Sequence, residues 1–418
     1  MQSAKSDLEI MAPAGSYESL MAAIQGGANS VYFGAGRLNM RSRSSQNFTL
    51  DDLRNISSIC RSEGVKTYLT LNTVIFDSEL QEMKQCIDVA VEAGICAIIA
   101  SDMSVIDYAR NKGIAVHLST QTNITNFEAV RFYSLFADVI VAARELSLEQ
   151  VGEIVRQIEQ YQIKGPSGQL VKIEVFVHGA LCMAISGKCY LSLDNMNSSA
   201  NRGACLQPCR RTYLVTDKED GHDYEIDNAY IMSPKDLCTI GFLDQIVQAG
   251  ITVLKIEGRG RGPEYVKTVT RCYREAADAV LNNTFDQIKV EHWVEQLKSV
   301  YNRGFWDGYY LGRKTGEWTG RYGSQATRRK VYVGVVTNYF AKLQVAEIKV
   351  EANDLHKDDS LLAIGPTTGV VECVAAEIRV ALDAVAIAKK GEFCSIAIPA
   401  IVRRGDKVYK WVDARASD

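Results

Sequence analysis

A strong charge of one sign, a long apolar run and any C-x2-C pair of cysteines are all missing from this 418-residue sequence. Its 47 Lys and Arg against 50 Asp and Glu leave a net charge of −3, so a nucleic-acid partner has to be met by a local basic patch rather than by overall charge. No apolar run reaches the roughly 18 residues that a membrane span needs. The opening MQSAKSDLEIMAPAG has no basic n-region and no long apolar h-region, so it does not read as a secretory leader. The spacing C-x2-C that marks zinc knuckles is absent, as are the HExxH motif of zinc peptidases and the GxSxG elbow of serine hydrolases. What is present is a chain that is 47% hydrophobic, enough for a large core without disulfide staples. Eleven cysteines in such a chain fit a cytoplasmic, reducing location, where clustered thiols bind metal or do chemistry.

Short apolar runs alternate with helical patterns along the first two thirds of the chain. Strands are predicted at 8–14, 30–34, 66–72, 97–102, 115–121, 138–146, 172–179 and 252–258, with amphipathic stretches between them. Gly27, Gly94 and Gly113 close three of the helical stretches just before a strand, where a left-handed cap is wanted. Eight near-continuously apolar strands, each followed by a helix or an insertion, predict an α/β fold, a (β/α)8 TIM-like barrel; a doubly wound open sheet is the alternative. After the polar run GRYGSQATRRK at 320–330 the pattern becomes a series of short strands with turns between them, predicting a small C-terminal β-barrel. The expected domains are 1–325, with a cysteine-rich insertion at 178–211, and 326–418.

In a (β/α)8 barrel the C-terminal ends of the strands form the active-site mouth. Those ends are polar here. Strand five ends in His117, Ser119, Gln121 and Asn123 at alternate positions, which places all four on one face. Strand six delivers Arg144, strand seven delivers His178, and strand eight carries Lys255, Glu257 and Arg259, again alternating. The last three can form an anion site or an internal ion-pair network. Arg37, Arg41 and Arg43 after strand two are either phosphate contacts or a solvated loop. The insertion holds Cys182, Cys189, Cys205 and Cys209 within 28 residues, spaced C-x6-C-x15-C-x3-C, with Arg202 and Arg210 close by. One cysteine alone reads as core packing. Four in a polar loop favour a metal site, and iron–sulfur centres accept such varied spacing. Arginines there offset the negative charge of thiolate ligands. A Cys–His nucleophilic pair is a further option, but it leaves three cysteines unexplained. Of the remaining thiols, which read as packing residues, Cys238 is the spare ligand candidate.

The stretches EVFVHGALCMAISGKCYLS and GACLQPCRRTY, with APAGSYESLMAAIQGGANSVYFG, HLSTQTNITNFEAVRFY, ARELSLEQ and LKIEGRGRGPEYV in the same order, resemble the U32 family of collagenase-like peptidases over residues 8–310. The C-terminal β region is similar to the end domain of that family's tRNA-modifying members. The resemblance implies an iron–sulfur enzyme for oxygen-independent hydroxylation at C5 of the wobble uridine of tRNA, linked to a prephenate-related small molecule. It implies a [4Fe–4S] cluster on Cys182, Cys189, Cys205 and Cys209. His117, His178, Lys255, Glu257 and Arg259 are then expected to line the catalytic site, and Ser119, Gln121, Asn123, Arg144, Arg202 and Arg210 to bind substrate. Three other readings stand beside this one: a U32 peptidase, a 23S rRNA cytidine hydroxylation enzyme, and a non-catalytic RNA-binding protein.

Overall fold

The computed structural model describes residues 8–43, 46–216, 218, 219, 221, 223, 224, 231–312 and 316–414. Eight parallel strands form the barrel: β1 (Glu9–Pro13), β2 (Ser30–Phe33), β3 (Lys66–Leu71), β4 (Ala97–Ala100), β5 (Ala115–Leu118), β6 (Val139–Val141), β7 (Lys172–Ala180) and β8 (Val253–Ile256). They are ordered by sequence, and β8 closes the ring by pairing with both β1 and β7. The strands SVYF and AIIA are buried at every residue, as strands covered on both faces must be. The helices that cover them start where side-chain oxygens satisfy free N–H groups: Ser16, Asp102, Asn126 and Ser147 each accept such a bond. Gly94 caps its helix at φ 72°, and Gly27 and Gly113 also take positive φ.

The barrel interior is less apolar than the aliphatic layers usual for this fold. Met11, Tyr32, Tyr68, Ala97, Ile99, Val139 and Val253 form an inner cluster. Among them sit charged groups. Tyr68 donates to Glu9 at 2.7 Å, and Lys255 Nζ donates to the fully buried Glu174 at 2.6 Å. Between β7 and β8 the chain makes the cysteine-rich insertion. A short strand, Asp236–Cys238, then runs antiparallel to the end of β7 before the chain enters β8.

The C-terminal strands, expected as a small β-barrel, form an eight-stranded antiparallel sheet that begins at Arg328 and wraps its own apolar core. Its long first strand, Arg328–Phe340, shifts register twice against its neighbours, which bends it around that core. The sheet rests on the first and last barrel helices, Tyr17–Gln25 and Pro263–Leu281. Gln25 bridges them with two hydrogen bonds, donating to Thr368 O at 2.8 Å and accepting from Val370 N at 2.9 Å. Lys330 pairs with Glu264 at 2.7 Å and Lys267 donates to Val370 O at 2.8 Å.

Gln25→Ala removes both amide bonds and leaves Val370 N–H without a partner. We expect urea unfolding to show a loss of about 1–3 kcal/mol. An unchanged midpoint and slope would mean that the two units hold together without this residue.

Candidate functional site

The mouth of the barrel encloses a cavity of about 280 Å³. One wall is the insertion. Cys182, Cys189, Cys205 and Cys209 all line the cavity, and all four are free thiols. Polar bonds inside the loop hold that wall in shape. Ser192 Oγ accepts from Leu206 N at 3.0 Å, and Ser198 Oγ donates to Ala204 O at 2.8 Å. Arg210 fastens both ends of the loop, donating to Leu181 O and Pro234 O at 2.7 Å and to Ser233 Oγ at 3.0 Å. Burial pushes the Cys209 thiol up to about 11; Arg210 opposes this, while Cys182, Cys205 and Cys189 add to it. Burial also raises Cys189, with Cys182 and Cys205 contributing. The four sulfurs are therefore within electrostatic reach of one another.

Among the described residues no three His, Cys, Asp or Glu side chains stand close enough together to grip a single ion. A polynuclear cluster holds its thiolates farther apart than one ion does, because its irons and sulfides lie between them. Four thiols distributed over one wall of a shared cavity fit that larger group. Cys238 lies elsewhere: its Sγ is 4.0 Å from Tyr273 Oη, and it does not line the cavity.

The facing wall is cationic. Seven basic side chains line the cavity (Arg41, Arg144, Arg210, Lys255, Arg259, Arg261 and Arg303), against a single carboxylate, Glu257. Arg41 pairs with Glu257 at 2.8 Å. Burial raises the Glu257 carboxyl, but Arg41 and Arg261 outweigh it and hold it below its ordinary value. Lys255 is paired with Glu174 and lies over the Tyr32 ring at 4.6 Å. Arg303 pairs with Asp236 at 3.3 Å. Arg259 differs from these. It is buried, and among the described residues it donates only to neutral oxygens, Thr70 Oγ1 at 2.8 Å and Asn39 Oδ1 at 3.1 Å. Burial lowers it to about 10. A buried cation with neutral partners is costly unless an anion completes it, so the chemistry of this wall calls for an anionic ligand.

The sequence-predicted residues divide into two groups. Ser119, Gln121, Arg144, Arg210, Lys255, Glu257 and Arg259 meet in the cavity with the four cysteines. Ser119 Oγ accepts from Asn72 at 3.2 Å, and Arg144 donates to Ser186 Oγ at 2.6 Å. Asn123, Arg202, His117 and His178 do not line it. Strand β5 ends at Leu118 and the chain turns through Thr120–Thr122, so the alternation stops and Asn123 caps the turn at φ 53°. Its amide donates to Gln121 O at 2.9 Å and Ser186 O at 3.1 Å. Arg202 turns outward to pair with Glu79 and covers the Phe76 ring at 4.2 Å.

His178 is displaced by one residue of register. Lys255 pairs with Phe176, but the next residue, Ile256, pairs with His178, so Val177 is an extra residue in β7. An extra residue inverts the alternation. Phe176 faces the cavity, and His178 packs outside the barrel against Tyr265, Tyr273 and Phe305. His117 stays inside the barrel, beneath the cavity, with its ring centroid 4.5 Å from that of Tyr68. Residues the sequence does not single out are Glu174, Asn72, Tyr32, Arg261 and Arg303, and Arg41, which reads from sequence as either a phosphate contact or part of a solvated loop, joins the cavity. Glu174 carried a signal, a carboxylate in the middle of a buried strand and two residues before an inward Phe176. Arg261 extends the alternation of Lys255, Glu257 and Arg259 by one step.

The family model described as peptidase family U32 matches residues 15–320. A protein named collagenase from Porphyromonas gingivalis is 58% identical over 405 residues, spanning 97% of this chain and 98% of that one. The tRNA hydroxylation protein P1 of Bacillus subtilis is 30% identical over 366 residues, spanning 86% and 83%. A 23S rRNA 5-hydroxycytidine synthase of Escherichia coli is 33% identical over 317 residues, spanning 73% of this chain and 46% of that protein.

Burial holds the His117 imidazole down to about 4, against an ordinary 6.5. The folded state therefore keeps this group neutral where the unfolded state takes up a proton. Its contribution to stability is complete above pH 6.5 and is lost as pH falls toward 4. His117→Phe should remove about 3 kcal/mol from the difference in unfolding free energy between pH 7 and pH 4. An unaltered pH dependence would show that His117 is not neutral and buried in solution.

Proposed function

This chain belongs to peptidase family U32, and from that membership we propose that it is an iron–sulfur enzyme that hydroxylates C5 of the wobble uridine of tRNA without molecular oxygen. One observation carries the reading: four thiols and seven cationic side chains line one cavity at the mouth of a barrel. Cys182, Cys189, Cys205 and Cys209 would hold a [4Fe–4S] cluster. When bound, the cluster supplies redox or oxygen-atom-transfer chemistry.

The chain's own residues bind and orient. Arg259 and Arg144, whose hydrogen bonds among the described residues go only to neutral oxygens, receive the carboxylates of a small oxygen donor of the prephenate type. Tyr32 and Phe176 line the cavity and hold Lys255 Nζ over their rings, at 4.6 and 5.5 Å, where its ammonium would meet the carbonyl oxygens of a base. Asn72 and Ser119 present an amide and a hydroxyl toward its edge. Arg41 fixes the Glu257 carboxylate in one position. An anticodon base splayed out of its loop is unpaired, so a pocket of this size can receive it.

The relative named collagenase favours a second reading, peptide hydrolysis. A thiol nucleophile needs a base within hydrogen-bond reach. Among the described residues no histidine lines the cavity, and its one carboxylate is held by Arg41.

Mass spectrometry of tRNA and rRNA nucleosides from cells lacking this chain separates the readings. We expect wobble 5-hydroxyuridine and its derivatives to be lost, restored by the wild type, and reduced at least tenfold with Cys205→Ala or Arg259→Gln. Loss of an rRNA hydroxycytidine instead would move the substrate to rRNA. Full restoration by Cys205→Ala would leave a non-catalytic RNA-binding role. Unchanged nucleosides, with gelatin cleaved by the purified chain, would return the protein to the peptidases.

A further inference from the structure

A second cavity, of about 340 Å³, lies behind the wall that carries the cysteines. Two loops form both cavities. Met40 and Arg41 face the cysteine cavity, and Ser42 and Arg43 face the second one. On the other loop Ala200 and Asn201 face the first, and Ser199 and Arg202 the second. The loops meet at Gly203, whose φ is +76° and where a Cβ would lie 2.2 Å from Ser42 Oγ and 2.3 Å from Asn39 O. Arg43 N donates to Gly203 O at 3.2 Å and seals the contact. The second cavity is thus one loop's thickness from the first.

Its lining is almost entirely polar, and its donors are not all used. Arg202 is paired with Glu79, and Arg37 binds Glu82 through Nε at 2.9 Å and Nη2 at 2.5 Å. Glu79 also accepts from Phe76 N at 3.0 Å, so the one carboxylate of the cleft is already engaged. Arg43 is exposed and has no side-chain partner among the described residues. Thr73 is 1% exposed, lines the cleft, and its Oγ1 has no hydrogen-bond partner. A buried hydroxyl without a partner is uncommon in a folded protein. A free guanidinium and an unpaired hydroxyl at one cleft, with Ser42 and Ser199 hydroxyls beside them, form a set of donors that an oxyanion satisfies.

We propose that this cleft holds a backbone phosphate of RNA next to the nucleotide whose base enters the cysteine cavity, with Arg43 and Thr73 as its principal donors. The inference rests on the reading that RNA is the substrate. Phosphates flank every nucleotide, and a base cannot enter the first cavity without bringing its neighbouring phosphates to the rim. A phosphate contact fixes position and carries no base preference.

Binding of tRNA and of inorganic phosphate by the full chain tests this, by fluorescence anisotropy over a salt series and by ³¹P NMR line broadening. We expect Arg43→Ala to weaken tRNA binding roughly tenfold and to lower the slope of log affinity against log salt by about 1. Thr73→Val should weaken binding a few-fold with the slope unchanged, because it removes a neutral donor. Arg156→Ala, on an exposed helix face, should change neither. Phosphate broadening should fall with Arg43→Ala. If tRNA binds the wild type and Arg43→Ala binds it as tightly with the same slope, the cleft assignment is wrong while the proposed function stands. If the wild type broadens phosphate but binds no tRNA, the RNA occupant and the proposed function fail together.

Discussion

Arg259 is buried just past the end of the eighth strand, and among the described residues its side chain bonds only a threonine hydroxyl and an asparagine amide. The turn after β1 passes so close that a Cβ on Gly15 would lie 2.0 Å from the Arg259 carbonyl oxygen, which only glycine permits. Tyr32 lies within cation–π range, at 5.9 Å. The nearest carboxylate in the cavity, Glu257, is already paired with Arg41. A charge left in this condition costs stability, and its placement is best understood through what the cavity binds.

The same imbalance bears on the thiols. Burial raises Cys209 to about 11, so as a lone group it is protonated at neutral pH. Ligation needs the thiolate. Seven cations on the facing and adjoining walls lower the cost of gathering negative charge there. Thiolates and anionic substrate thus draw on one positive field, and the site needs few carboxylates. Lys255 and Glu174 lie beneath it as a buried pair, with one Glu174 oxygen unbonded. An incompletely satisfied pair of this kind is weak support for stability and fits better with holding Lys255 at the cavity floor.

The eight barrel strands were legible because strands buried on both faces read as short continuous apolar runs, and because glycines and cap residues mark the helices between them. The cysteine loop was legible from density and polarity. Strand-end alternation was a weaker guide. It held across Lys255, Glu257 and Arg259, which do converge. It failed at Asn123 because β5 stops at Leu118. Position at a strand end misled at His178, which the extra residue Val177 turns away from the cavity. Neither a strand's last residue nor a single-residue bulge leaves a composition signal, since each is set by pairing with neighbours distant in sequence. Arg202 illustrates a third limit. Its nearness to the cysteines along the chain is real, yet Glu79 and Phe76, more than a hundred residues away, hold it on the other side of the wall.

The central claim is that the four cavity thiols hold an iron–sulfur cluster. Iron and acid-labile sulfide per chain, measured after strictly anaerobic purification, test it most directly, with Cys182→Ala, Cys205→Ala and Cys238→Ala alongside. The account predicts about four of each per chain for the wild type and for Cys238→Ala, and a loss of both in the other two variants. Iron-free wild-type protein, zinc in place of iron, or a cluster that survives Cys182→Ala and Cys205→Ala would contradict it.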